Sequence, residues 1–166
     1  MRIGRGDNAG GKDSPYEGLR LQLCTTDAAD VGMDVAVGRV WGAFVDMASE
    51  SGVATLVGLA DGTTSLYSST GGGVIGAGAH EHVRAVTARF LASVEAAIAE
   101  FRAVDVTVLP RPGFVLFVAL RAGQPPVGRL VPERELRAMT HALSPAYVSA
   151  HEVVTQLRLL DEGRGT

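Results

Sequence analysis

From Phe114 to Leu120 every residue is apolar, the longest such run in the chain. Seven residues suit a strand and fall well short of the roughly 20 that a membrane-spanning helix needs. A strand with one wet face would alternate with polar residues, so this one is predicted to lie in the middle of a sheet covered on both sides. The requirement for cover on two sides restricts the chain to layered architectures in which helices flank a sheet.

Other segments supply the neighbours. Val53 to Leu59 reads as a second buried strand. Asp61-Gly62 then turns the chain into a partner strand, Thr63 to Ser69, because this pair tolerates the positive φ angles of a hairpin. Ahead of them Val37, Val40, Trp41, Phe44, Val45 and Ala48 recur at spacings of three and four. That spacing predicts an amphipathic helix capped by Asp34 and closed near Gly52. A long helix is expected from about 79 to 102, with Val83, Val86, Phe90, Val94, Ile98 and Phe101 as its apolar stripe. Val104 to Val108 alternates with period two and predicts a strand; Val127 to Val131, bordered by Pro125, Pro126 and Pro132, predicts an edge strand. Ser144-Pro145 opens a last helix that runs to about Leu160.

The order is helix, strand, strand, helix, strand, strand, a further edge strand, helix. Hairpins force antiparallel neighbours, so the expected class is α+β, with an antiparallel or mixed sheet of four or five strands flanked by helices. Residues 1–30 mix Gly, Asp, Lys, Ser and Pro with little periodicity and read as a disordered tail, leaving 31–162 as a single domain.

Composition removes several function classes. A formal net charge of −3 offers no field to attract nucleic acid or anionic lipid. Cys24 is the sole cysteine, so an internal disulfide and a thiolate metal cluster are both excluded. No signal-like or spanning segment is visible, which makes a cytoplasmic protein with no membrane partner the expectation. Lys12 is the only lysine, and the preference for Arg, Ala, Gly and Val suggests a GC-rich bacterial genome.

Few residues offer chemistry. Gly71, Gly73 and Gly76 satisfy G-x-G-x-x-G between a strand and a helix, where backbone N–H groups and a helix N-terminus could face an anion. Gly72, Gly78, His80 and His82 complete this candidate ligand-binding set. A dinucleotide site needs a parallel strand-helix-strand unit, which the hairpin contradicts, so the competing interpretation is a connection requiring positive φ or close backbone packing. His80 and His82 stand two apart and point about 200° apart on a helix, and His151-Glu152 does not continue into a zinc motif because position 155 is Thr. No metal, cofactor or catalytic residue is assigned. Arg84, Arg134, Arg137 and Arg158 read as solvated helix faces that could receive an acidic partner.

Ser51-Gly52-Val53-Ala54-Thr55-Leu56-Val57 leading to Asp61-Gly62, followed by the long helix, resembles the roadblock and dynein-light-chain family over about 34 to 160. The resemblance implies a non-catalytic homodimer whose long helices and edge strands pair across a twofold axis, and which serves as a platform for protein partners. The glycine-rich loop and the weak last strand depart from that pattern. Leu59 to Tyr67 followed by Thr70 to Gly76 also resembles uncharacterised bacterial proteins with a Gly-Gly-Gly-Val-Ile-Gly loop. The leading expectation is a homodimeric protein-interaction module. The alternative is a small-ligand or anion-binding domain, enzymatic or not, that uses Gly71 to Gly78.

Overall fold

The computed structural model describes residues 14–164. Its elements in chain order are α1 (Pro15–Thr25), a 3-10 turn (Ala28–Val31), β1 (Val40–Ser49), β2 (Gly52–Leu59), β3 (Thr64–Ser68) and β4 (Gly73–Val74). A second 3-10 turn (Ala77–Ala79) leads into α2 (Glu81–Ala96), a third (Ile98–Glu100) follows it, and then come β5 (Arg102–Ala103), β6 (Phe114–Arg121), β7 (Val127–Pro132), α3 (Glu133–Arg137) and α4 (Ser144–Arg164).

The class is α+β, and the sheet is antiparallel with seven strands in the order β4-β3-β2-β1-β6-β7-β5. The expected four or five strands understate it, because the outermost strands β4 and β5 are two-residue pieces too short to leave a periodic signal. β6 is interior, with Val115 to Leu120 buried, as a run without polar alternation requires. The hairpin of β2 and β3 closes through Asp61-Gly62, with the Asp61 carboxylate accepting from the Thr63 amide at 2.8 Å.

Four segments differ from the sequence expectations, one being the long helix expected over 79–102, which is helical only over Glu81–Ala96 and gives way to a 3-10 turn and strand β5. The helix expected over 34–52 is strand β1, paired with β2 on one side and β6 on the other. Trp41 to Asp46 are all buried, so apolar residues line both faces and the spacings of three and four that suggest a helix arise by coincidence. The strand expected at 104–108 is a crossing segment whose Val104 and Val106 pack on the sheet face opposite α2. Finally, residues 15–30 of the expected tail carry α1 and most of the first 3-10 turn, with Tyr16, Arg20 and Ala28 buried; residues 1–13 of that tail lie outside the described residues.

Both sheet faces are therefore covered. On one, α2 and α4 pack Phe90, Val94, Ala150 and Leu157 against Val45, Leu56, Val115 and Phe117. Gly58 lets α2 approach β2, since a Cβ there would stand 2.8 Å from Thr87 Cγ2. Thr87 in turn shares a buried hydrogen bond of 2.8 Å with Thr64. On the other face α1, the first 3-10 turn and the 104–109 segment cover Trp41, Phe44, Val57, Tyr67, Leu116 and Val118. Among the described residues no helix is long and apolar enough to cross a membrane.

Candidate functional site

The glycine-rich loop is the natural starting point, and the structure gives several of its glycines a packing role. Gly71 and Gly72, both at positive φ, close the hairpin between β3 and β4: the Gly71 amide donates to the Ser68 carbonyl and the Ser68 amide donates to the Gly72 carbonyl. A Cβ on Gly73 would lie 2.2 Å from the Leu66 carbonyl oxygen, and one on Gly78 would lie 2.4 Å from that of Gly62. Both are positions where only glycine lets two backbones approach so closely. The Gly76 amide reaches Ser65 Oγ at 3.4 Å. The loop does not open directly into the long helix, because the turn at Ala77–Ala79 intervenes and α2 begins at Glu81. His80 is the N-cap of α2 without a side-chain capping bond, and His82 is the second residue of the helix; both are exposed. Among the described residues no three or more His, Cys, Asp or Glu come together in a way that could hold a metal ion. The loop does wall one hollow: Gly71 to Gly73 and Ile75 face Ser14, Pro15, Tyr16 and Leu19 of the α1 end across about 510 Å³.

Neighbouring that hollow, beneath α1, is a polar cluster that the sequence does not announce. Asp46 stands in the middle of β1, opposite Thr55 of β2 and Leu116 of β6, and is wholly buried. Its carboxylate accepts from Arg20 Nη2 of α1 and from Thr55 Oγ1 at 2.6 Å. Tyr16 Oη shares a 2.6 Å bond with Thr55 Oγ1, and Arg20 Nη1 donates to the Val106 carbonyl at 2.7 Å. The guanidinium also lies over Phe44, 5.3 Å from the ring centroid. Burial pushes the Asp46 carboxyl above its ordinary value, against the pull of Arg20 and Thr55. It likewise pushes Tyr16 up to about 12 and Cys24 up to about 11, and raises Tyr67 further. Near neutral pH these phenols and this thiol stay protonated, so none is an activated nucleophile or base. The cluster holds structure together rather than performing proton chemistry. Its only sequence signal is Asp46 inside the otherwise apolar run from Val40 to Ala48.

The helix layer carries two further surfaces. Along α2 the residues Ala85, Ala88, Ala92 and Ala96 are exposed and share one side, with Arg84 near one end and Glu95 near the other. Glu95 accepts from the Val40 amide at 2.8 Å and pairs with Arg39 at 3.3 Å. Arg84, Ala88, Ala92, Glu95 and Ala96 border a groove of about 630 Å³ that reaches Leu59 and Gly62. Across the layer, a second groove of about 720 Å³ separates α2 from α4 and is bridged by Arg89 and Glu152 at 2.9 Å. There Tyr147 donates to Glu133 at 2.6 Å, Arg137 pairs with the same carboxylate at 2.7 Å, and His151 meets the Tyr147 ring edge-on. The Tyr147 hydrogen bond holds Glu133 below its ordinary value, while burial pushes Tyr147 up to about 12 and lowers His151.

Comparison with known protein families, with curated proteins and with solved structures finds no match to this chain.

Proposed function

We propose that this chain is a non-catalytic protein-interaction module that pairs as a homodimer through α2. The reading is carried by the self-complementary pattern on that helix. A twofold axis near residue 90 would set Ala88 of one copy against Ala92 of the other and bring Arg84 of each near Glu95 of its partner. Small residues let two helix backbones approach, and an isologous interface needs this kind of self-matching charge. The groove beside the stripe leaves room for the partner's side chains.

Native mass spectrometry and light scattering on the purified chain test the proposal. A dimer at tens of micromolar is expected for the parent, and Ala88→Glu should shift it to monomer while leaving the circular dichroism unchanged. A strictly monomeric parent overturns the reading.

One observation favours a second reading, a small-ligand or anion-binding domain: the hollow between the glycine loop and the α1 end. It predicts a reproducible retained mass in the same native spectrum. Gly73 is unsuited to testing it, since a side chain there collides with β3 backbone; Ile75→Asp, at an exposed wall position, is the informative change.

A further inference from the structure

α1 meets the sheet with one face. Tyr16, Arg20, Leu23 and Cys24 stand at i, i+4, i+7 and i+8, and Arg20 supplies the cation that the buried Asp46 requires. Yet the helix itself is weak. It has eleven residues, Ser14 makes no side-chain capping bond, and no basic residue sits in its last turn. Gly18 closes its first turn, where a Cβ would meet nothing within 4 Å, so packing does not demand the residue that most lowers helix propensity after proline. A segment this short and this composed is helical because the site makes it so.

The site is also larger than its occupant. Beside α1 lies an apolar hollow of about 210 Å³ lined by Leu19, Leu23, Trp41, Val57, Tyr67 and Ile75. Ile75 and Leu19 expose 70% and 39% of their surface at its edge, a combination that a bulkier guest would cover. Tyr67 Oη and Arg20 Nε are buried without a hydrogen-bond partner among the described residues. The fixed feature of the face is the Asp46 carboxylate, which rejects a purely apolar or acidic helix and selects one bringing a cation.

We propose that the sheet face beneath α1 is a docking site for an amphipathic helix of a protein partner that carries an aromatic residue and, one turn later, an arginine for Asp46, and that α1 is the resident mimic that such a helix displaces. The inference rests on the interaction-module reading and is independent of the α2 pairing. A partner helix wins by filling the apolar hollow that α1 leaves open while reproducing the arginine contact, so the module exchanges its own segment for a partner's.

The test uses the full chain carrying Arg20→Ala, which removes the latch, and a synthetic peptide of residues 14–31 as the probe. Trp41, the sole tryptophan and 1% exposed on this face, reports occupancy by fluorescence. Saturable binding is expected, with a peptide bearing Arg20→Ala about tenfold or more weaker because a hydrogen bond to a buried charge is lost. Equal binding of both peptides, or no response at millimolar peptide, overturns the proposal. Gly18→Pro breaks α1 by a different route and serves if Arg20→Ala does not fold. Failure of both variants to fold also overturns it, since α1 would then be integral to the fold. A parent dimer combined with no peptide binding sinks this inference alone.

Discussion

Under α2 and α4 the sheet meets Phe90, Val94, Ala150 and Leu157, whereas under α1 it meets an arginine. The first contact is a broad apolar interface between long helices and the strands, where side chains match by shape and a lost methylene is felt directly. The second is a short helix bound through one ion pair, two hydroxyls and a few apolar contacts. Burying a carboxylate and a guanidinium costs solvation that their attraction only partly returns, so the second interface is specific without being strong. One face of the sheet is held by shape-matched apolar packing, and the other joins an apolar cluster to a buried ion pair, which is the face the docking proposal concerns.

The largest effect that can break this contrast is at Phe90, wholly buried between α2 and the sheet. Phe90→Ala should cost about 3–5 kcal/mol and lower the urea midpoint for every probe together, since the cavity lies in the shared core. Loss confined to α2 signals would show that the helix layer is no more integral than α1. Next is the pair itself. Replacing Arg20 and Asp46 together by Met and Leu should leave stability unchanged or raise it by about 1–4 kcal/mol, because apolar groups of similar volume avoid the desolvation cost. A large drop in urea midpoint would show that the ion pair stabilises the fold outright and that the two faces are alike.

Titration sharpens the same comparison. Burial raises the Asp46 carboxyl above its ordinary 3.8, whereas the Tyr147 hydrogen bond lowers Glu133 below its ordinary 4.5. The folded chain takes up the Asp46 proton at a higher pH than the unfolded chain does. The stability from Asp46 is therefore fully present below 3.8 and is lost as pH rises through the raised value. For Glu133 the sign reverses: its contribution is present above 4.5 and is lost as pH falls through the lowered value. Relative to the parent, Asp46→Asn should gain in urea midpoint between acidic and neutral pH, and Glu133→Gln should lose. Slopes of the same sign would remove the electrostatic difference between the faces.

How much of this was legible in the residues follows from what each segment contacts. β2, β3 and β6 were readable because a turn pair and an unbroken apolar run are local signals. β1 was not, since a strand buried on both faces carries apolar residues at every spacing, helical ones included. α1 was hidden for a different reason: its anchor Arg20 resembles any solvated arginine until Asp46, 26 positions later, lies beneath it. The glycine cluster was visible as a place that needs glycine, but the reasons at Gly73 and Gly78 are carbonyls of Leu66 and Gly62 that only the folded sheet brings close.

The smallest effect is also the one that most directly separates local opening from global unfolding. Gly18→Ala adds a methyl where a Cβ meets nothing, so it should stabilise α1 by about 0.5–1 kcal/mol through helix propensity alone. If α1 is welded to the rest as α2 is, that gain must appear in full in the global unfolding midpoint. If α1 detaches on its own, amide exchange within residues 15–25 slows several-fold while the global midpoint stays put, because the gain is spent on an opening that precedes unfolding. The second outcome is expected here. It would also carry a functional consequence, since a firmer α1 competes better for its own site and should weaken docking of any helix supplied from outside by a similar factor.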